Sequence, residues 1–118
     1  MIEIKKSFRF EAAHWLPKTA VNHKCHRLHG HNFVVIMSFV GHVGDDGMLM
    51  DFAVITEAWN TIKAMVDHRL LNEIEGLENP TSEVLAVWIW RRIVALIPSL
   101  AAVEVKENDD SGAVFRGA

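Results

Sequence analysis

His29-Gly30-His31-Asn32-Phe33-Val34-Val35-Ile36-Met37-Ser38-Phe39-Val40-Gly41-His42-Val43 reads as one long strand, and it decides the fold. Side chains alternate along a strand, so Phe33, Val35, Met37 and Phe39 fall on one face and Val34, Ile36 and Val40 on the other. A strand apolar on both faces is expected to be covered on both, by helices or by a neighbouring subunit. At its start His29 and His31 leave the same face. Gly30 between them leaves room on the opposite face for a ligand or another chain.

Upstream, Trp15 to Arg27 lacks periodicity and carries Pro17, which predicts a loop. Before it, Ile2 to His14 predicts a strand with Phe8, Phe10, Ala12 and His14 on one face. Downstream, Gly44-Asp45-Asp46-Gly47 is a turn signal, and Met48 to Met50 is expected to return briefly as strand. Phe52, Ile55, Trp59, Ile62 and Val66 recur at three- and four-residue steps, the pattern of an amphipathic helix, with Asp51 placed to cap it. A loop holding Gly76 and Asn79-Pro80 leads to a second helix over Ser82 to Ile97, stopped at Pro98. Only Glu83, Arg91 and Arg92 are charged in it, so burial in an oligomer is expected. Val103 to Glu107 and Ala113 to Arg116 close the chain as two strands around an Asn108–Gly112 turn. The order ββααββ predicts an α+β fold, an antiparallel sheet with two helices on one side.

The 118 residues make one domain, 1–118, with a single core. A net charge of −3 argues against nucleic acid as the main partner. No apolar stretch reaches bilayer-spanning length and Met1 to Phe10 holds no signal-peptide core, so no membrane partner is expected. The single cysteine forms no internal disulfide, which points to a reducing cytoplasm. From Ala12 through Gly44 there is no Asp or Glu, while Lys18, Lys24 and Arg27 lie among the histidines. That local positive charge suits a small anionic ligand.

Four of the seven histidines and the only cysteine fall between His23 and His31. With His14 at the end of the neighbouring strand, His29 and His31 make a three-histidine set. Three neutral imidazoles leave one tetrahedral position of a zinc ion open, the arrangement of a catalytic site. A closed structural site with Cys25 as fourth ligand is the competing arrangement. His23, His26 and His42 are expected to be loop or surface residues. Cys25 lies beside Lys24 and close to several imidazoles, surroundings that favour a thiolate acting as base or nucleophile. Asp67-His68 follows the first helix, and a histidine held in one tautomer by a carboxylate can relay a proton. Val103, Val105 and Glu107 share a strand face, and a carboxylate ending an apolar face must be paired or exposed at the tip. Glu107 would suit a ligand presenting two adjacent N–H donors, such as a 2-amino-4-oxo pyrimidine ring.

Phe10-Glu11-Ala12-Ala13-His14, Cys25-His26-Arg27-Leu28-His29-Gly30-His31, Asp67-His68, Asn79-Pro80-Thr81-Ser82-Glu83 and Lys106-Glu107 together resemble the 6-pyruvoyl-tetrahydropterin synthase family, over essentially the full length. The spacing Cys-x₃-His-Gly-His looks like its bacterial 6-carboxy-5,6,7,8-tetrahydropterin branch, of queuosine biosynthesis. The resemblance implies the tunnelling fold, in which sheets of several subunits close a barrel, commonly a trimer stacked into a homohexamer. It implies zinc on His14, His29 and His31, Cys25 as catalytic base, and His68 and Glu107 as charge relay and pterin anchor, with Asp67 orienting His68. It also implies sites between subunits and a pterin triphosphate substrate. A pyruvoyl-forming activity with the same residues, or a non-catalytic zinc-stabilised pterin-binding module, are the alternatives. Two features depart from the family pattern: His26 stands where a small residue is common, and Asn108 to Ser111 replaces a tail that carries cysteine in some relatives.

Overall fold

The computed structural model describes residues Met1–Ala118. Strand β1 (Ile2–His14) pairs antiparallel with β2 (His29–Gly41) over their full length, from Ile2 opposite Gly41 to His14 opposite His29. Helix α1 (Phe52–Val66) is followed by a two-residue strand, β3 (Arg69–Leu70), and then by helix α2 (Ser82–Leu96). Strands β4 (Leu100–Asn108) and β5 (Ser111–Phe115) complete a sheet ordered β3-β1-β2-β4-β5.

One face of the sheet and the inner faces of both helices form a continuous core. Phe10, Phe33, Val35, Met37, Phe39, Val103 and Val105 from the strands meet Ile55, Trp59, Ile62, Leu85, Ile89 and Ile93 from the helices. The predicted periodicities thus face the core, because a helix stripe and a sheet face bury their apolar area only against each other. Phe10 stacks on Phe33 at 4.9 Å between ring centroids, and Phe8 on Trp59 at 5.1 Å. Asp51 caps α1, accepting from the Ala53 N–H at 2.8 Å. Thr81 caps α2 in the same way through the Val84 N–H, at 3.1 Å.

Several boundaries differ from the sequence expectation. Strand β2 stops at Gly41 rather than Val43, and Met48 to Met50 forms no strand, since no neighbouring strand is there to accept its backbone bonds. The 15–27 loop contains a short 3₁₀ turn, Lys24–His26. Helix α2 ends at Leu96, with Ile97 as its C-cap. Much of its cover comes from its own chain: Trp90 packs edge-on against Phe115, and the Arg92 guanidinium lies 3.9 Å from the Trp88 ring centroid. Strand β4 begins at Leu100 because β2 supplies pairing from Phe39 onward. Strand β3 has too few residues to leave a periodic signal. It pairs parallel to β1, Ala12 with Arg69 and Ala13 with Leu70, in an otherwise antiparallel sheet.

Two irregularities in β4 bear on the site. Ser38 pairs with Ala102 but Phe39 with Leu100, so Ala101 is an extra residue against β2. Lys106 pairs with Gly112 but Asn108 with Ser111, so Glu107 is the extra residue against β5. Gly112 is required at that second bulge, since a Cβ there would stand 2.8 Å from the Val105 carbonyl oxygen.

Candidate active site

At the end of the β1–β2 ladder, His14, His29 and His31 converge on the helix-covered face. One ring nitrogen from each lies within 4.8 Å of the others. The ring centroids are 4.6, 5.0 and 4.8 Å apart, each pair edge to face. Phe33 forms an apolar floor, 5.5 Å from the His14 ring and 5.4 Å from that of His31.

Backbone carbonyls fix the rings. His14 Nδ1 bonds to the Pro80 carbonyl at 2.8 Å, and His29 Nδ1 to the Arg27 carbonyl at 2.7 Å. A carbonyl only accepts, so each Nδ1 carries the proton and each Nε2 keeps its lone pair in the neutral ring. The Nε2 atoms of His14 and His31 are buried with no hydrogen-bond partner. Burial pushes the pKa of both residues below the ordinary imidazole value, although the Pro80 carbonyl and Glu107 pull His14 the other way and Glu107 does so for His31. Neutral imidazole is the ligand form. Two orphaned, buried ring nitrogens beside a third oriented ring fit a tetrahedral nitrogen-seeking ion such as zinc.

Glu107 reaches this cluster. Its Oε2 is 3.7 Å from His31 Nε2, within ion-pair range but too far for a hydrogen bond. The bulge at Glu107 turns the side chain out of the β4–β5 pairing, a use of bulges common beside active sites. A second hollow of about 310 Å³ opens next to it, lined by Ser82, Glu83, Glu107, Ser111, Gly112 and Ala113.

Cys25 occupies the 3₁₀ turn. Its N–H donates to His23 Nδ1 at 3.0 Å and its carbonyl accepts from the Leu16 N–H at 2.8 Å. The half-buried thiol makes no hydrogen bond to the histidine cluster within the chain. His26, expected to be a bystander, pins the loop: its ring packs edge-on against Trp15 and its Nδ1 lies 3.2 Å from the Thr19 carbonyl.

Asp67 and His68 stand apart from the three histidines. His68 N–H donates to the Glu11 carbonyl at 2.6 Å, and the Glu11 N–H donates to Asp67 Oδ1 at 3.0 Å. Asp67 Oδ2 lies 3.1 Å from His68 Nδ1. Glu11 is one residue out of phase with Phe10 and Ala12, which places it on the helix-free face. His68 joins it there, at an open cleft of about 610 Å³ that Ala13, Gly30, His31, Asn32 and Arg69 also line. A Cβ on Gly30 would make only an ordinary 3.5 Å contact with the Ala12 carbonyl, so the chain's own packing does not demand glycine there. His14, His29, His31 and Glu107 thus cluster together, and Asp67, His68 and Glu11 form a second cluster, with His31 bordering the cleft beside His68.

The Glu11 N–H, followed by His68, holds the Asp67 carboxyl below the usual carboxylate value of 3.8. A depressed folded pKa gives stability that is present above the unfolded value and lost as pH falls through the folded one. The melting-temperature difference between the wild-type chain and Asp67→Asn should accordingly narrow as pH is lowered below 3.8. A gap that stays constant to lower pH would show that the Asp67 charge contributes nothing to the fold.

The sequence reading missed the two carbonyl anchors, which leave no side-chain signal, and Glu11. The signal for Glu11 was present in strand parity, which places a carboxylate opposite the face that carries His14.

The profile of the family described as 6-pyruvoyl tetrahydropterin synthase matches residues 3–118. The chain is 43% identical to a 6-carboxy-5,6,7,8-tetrahydropterin synthase of Synechocystis, over 95% of this chain and 91% of that protein. It is 30% identical to a protein of the same name from Bacillus subtilis, over 97% of this chain and 84% of the relative. The 6-pyruvoyl tetrahydropterin synthase of Caenorhabditis elegans superposes with a TM-score of 0.91 at 25% identity, covering 99% of this chain and 96% of that one. The motifs, the fold and the histidine cluster agree with these likenesses, and the chain belongs to the 6-pyruvoyl tetrahydropterin synthase family.

Proposed function

We propose that the chain is a zinc-dependent carbon–carbon lyase. It converts 7,8-dihydroneopterin triphosphate and water to 6-carboxy-5,6,7,8-tetrahydropterin with release of acetaldehyde and triphosphate, a step toward queuosine. The observation that carries this reading is the pair of buried, unpartnered Nε2 atoms on His14 and His31 with the Glu107 carboxylate beside them. Likeness to the Synechocystis synthase supports the choice of product.

His14, His29 and His31 would hold the zinc, which when bound supplies Lewis acidity toward oxygens of the substrate side chain. Glu107 accepts the two adjacent N–H groups of the pterin ring and orients the reacting carbon toward the histidine cluster. Cys25 removes the proton from the side-chain carbon. His68, oriented by Asp67, carries protons as triphosphate leaves and the side chain is cleaved. Lys24 and Arg27 draw in the triphosphate. Within the chain His68 pairs only with Glu11 and Asp67, which supports a homo-oligomer, trimer or hexamer, as the working unit, with His68 of one protomer serving the site of its neighbour. Cys25, a free thiol, fits a cytoplasmic setting.

Mass spectrometry of the products tests the reading. Acetaldehyde together with a 6-carboxy pterin is the expected result. A pterin that keeps its three-carbon side chain would overturn it in favour of pyruvoyl formation, the reading favoured by the close superposition on the Caenorhabditis elegans enzyme. Binding of the pterin without any product would leave only a zinc-stabilised binding module.

A further inference from the structure

We infer that Glu11 is a positioning residue for His68, an assignment that rests on the proton-carrying role proposed above. Glu11 meets the Asp67-His68 pair at three points. Its N–H donates to Asp67 Oδ1 at 3.0 Å, its carbonyl accepts from the His68 N–H at 2.6 Å, and its Oε2 lies 3.4 Å from His68 Nε2. Asp67 Oδ2 faces the other ring nitrogen, Nδ1, at 3.1 Å. The imidazole thus stands between two carboxylates, one of them on the residue that also holds its backbone.

The backbone at His68 makes that hold necessary. Its φ is +58°, and no other residue but glycine in the chain has a positive φ. Such a conformation persists only where the surroundings over-determine it, and it gathers at functional sites. Here it turns the chain out of α1 and into β3 while sending the ring over β1. The ring itself is 73% exposed. An exposed side chain without a partner exchanges rotamers in picoseconds to nanoseconds. Exposed ion pairs are as a rule worth little to stability, so a contribution of Glu11 to folding is not what this geometry serves. What Glu11 supplies is direction. It keeps the ring facing the cleft lined by Ala13, Gly30 and Asn32 rather than sweeping through solvent. A proton carrier must be held at reacting distance, and misplacement by about 1 Å costs on the order of a hundredfold in rate.

Glu11→Ala and Glu11→Gln in the full zinc-loaded chain test the assignment, since both variants keep the two backbone bonds. For Glu11→Ala, kcat should fall roughly tenfold to a hundredfold with KM within about twofold of wild type. NMR relaxation of the His68 ring carbons should show lost order. Glu11→Gln, whose amide can bond the same ring nitrogen, should restore ring order and most of kcat. The assignment is overturned if Glu11→Ala keeps wild-type kcat or ring order. It is equally overturned if the loss appears in KM alone, which would make Glu11 a substrate contact, or only in step with a fall in melting temperature. Ring order is read without substrate, so it decides the role of Glu11 even if the wild-type chain fails to turn over the pterin.

Discussion

Alanine in place of His29 should leave the chain unable to retain zinc while its fold survives. Three imidazoles are all that the cluster offers, and removing one leaves only two nitrogens, on adjacent strands. Loss of an outer-shell partner alone typically lowers metal affinity about 10–100-fold, so loss of a direct ligand should exceed that. His29 is the informative choice because it is half-buried at a strand end, whereas His14 is fully buried and bonded to Pro80. His14→Ala would open a cavity and strand the buried Pro80 carbonyl as well as a metal position, whereas the Arg27 carbonyl freed by His29→Ala is exposed and can bond water. For His29→Ala the stability cost should stay within about 1 kcal/mol, as for substitutions away from the core. Metal analysis after gel filtration, paired with a melting curve of the metal-free proteins, reads both quantities. Full retention of zinc by His29→Ala would remove this histidine from the ligand set.

Cys25→Ala should keep zinc and fold but lose turnover by about 10²–10⁴-fold, the range typical of a missing general base. The turn that carries Cys25 is held through its backbone, by His23 Nδ1 on one side and the Leu16 N–H on the other, and both bonds survive the substitution. A fall in kcat with little change in KM would mark a group that acts in the transition state. Unchanged kcat would exclude the thiol as base. Loss of zinc on the same substitution would instead make Cys25 a fourth ligand and the site a closed one, the arrangement the sequence left open.

What the sequence disclosed follows from what periodicity can carry. The alternation through Phe33, Val35, Met37 and Phe39 and the three- and four-residue steps from Phe52 to Val66 each report burial of a whole face, so the α+β fold was legible. His29 and His31 were legible as a pair because strand parity is enough to place them side by side. The position of His14 opposite His29 needed only the register of one hairpin. Features that depend on contacts between distant segments were not legible. The Pro80 carbonyl under His14 and the Glu11–His68 contact join residues more than fifty positions apart. The two-residue β3 has no period at all, yet it sets Asp67 and His68 beside β1. Glu107 was read on its correct face, but the bulge that frees it from pairing with β5 was not foreseen.

The extra residue at Ala101 works as a phase corrector for everything that follows it. Before the bulge an even-numbered residue of β4, Leu100, points into the core; after it the odd-numbered Val103 and Val105 do. Glu107 inherits that second phase and so arrives on the side of the histidines. A regular strand of the same residues, without the bulge, would keep either Leu100 or the Val103–Glu107 series on the core side, but not both. The face on which the Glu107 carboxylate arrives is therefore set some distance away, at the far end of the strand. Straightening the strand there with every residue kept would put Leu100 and Glu107 on opposite faces without touching any residue of the site.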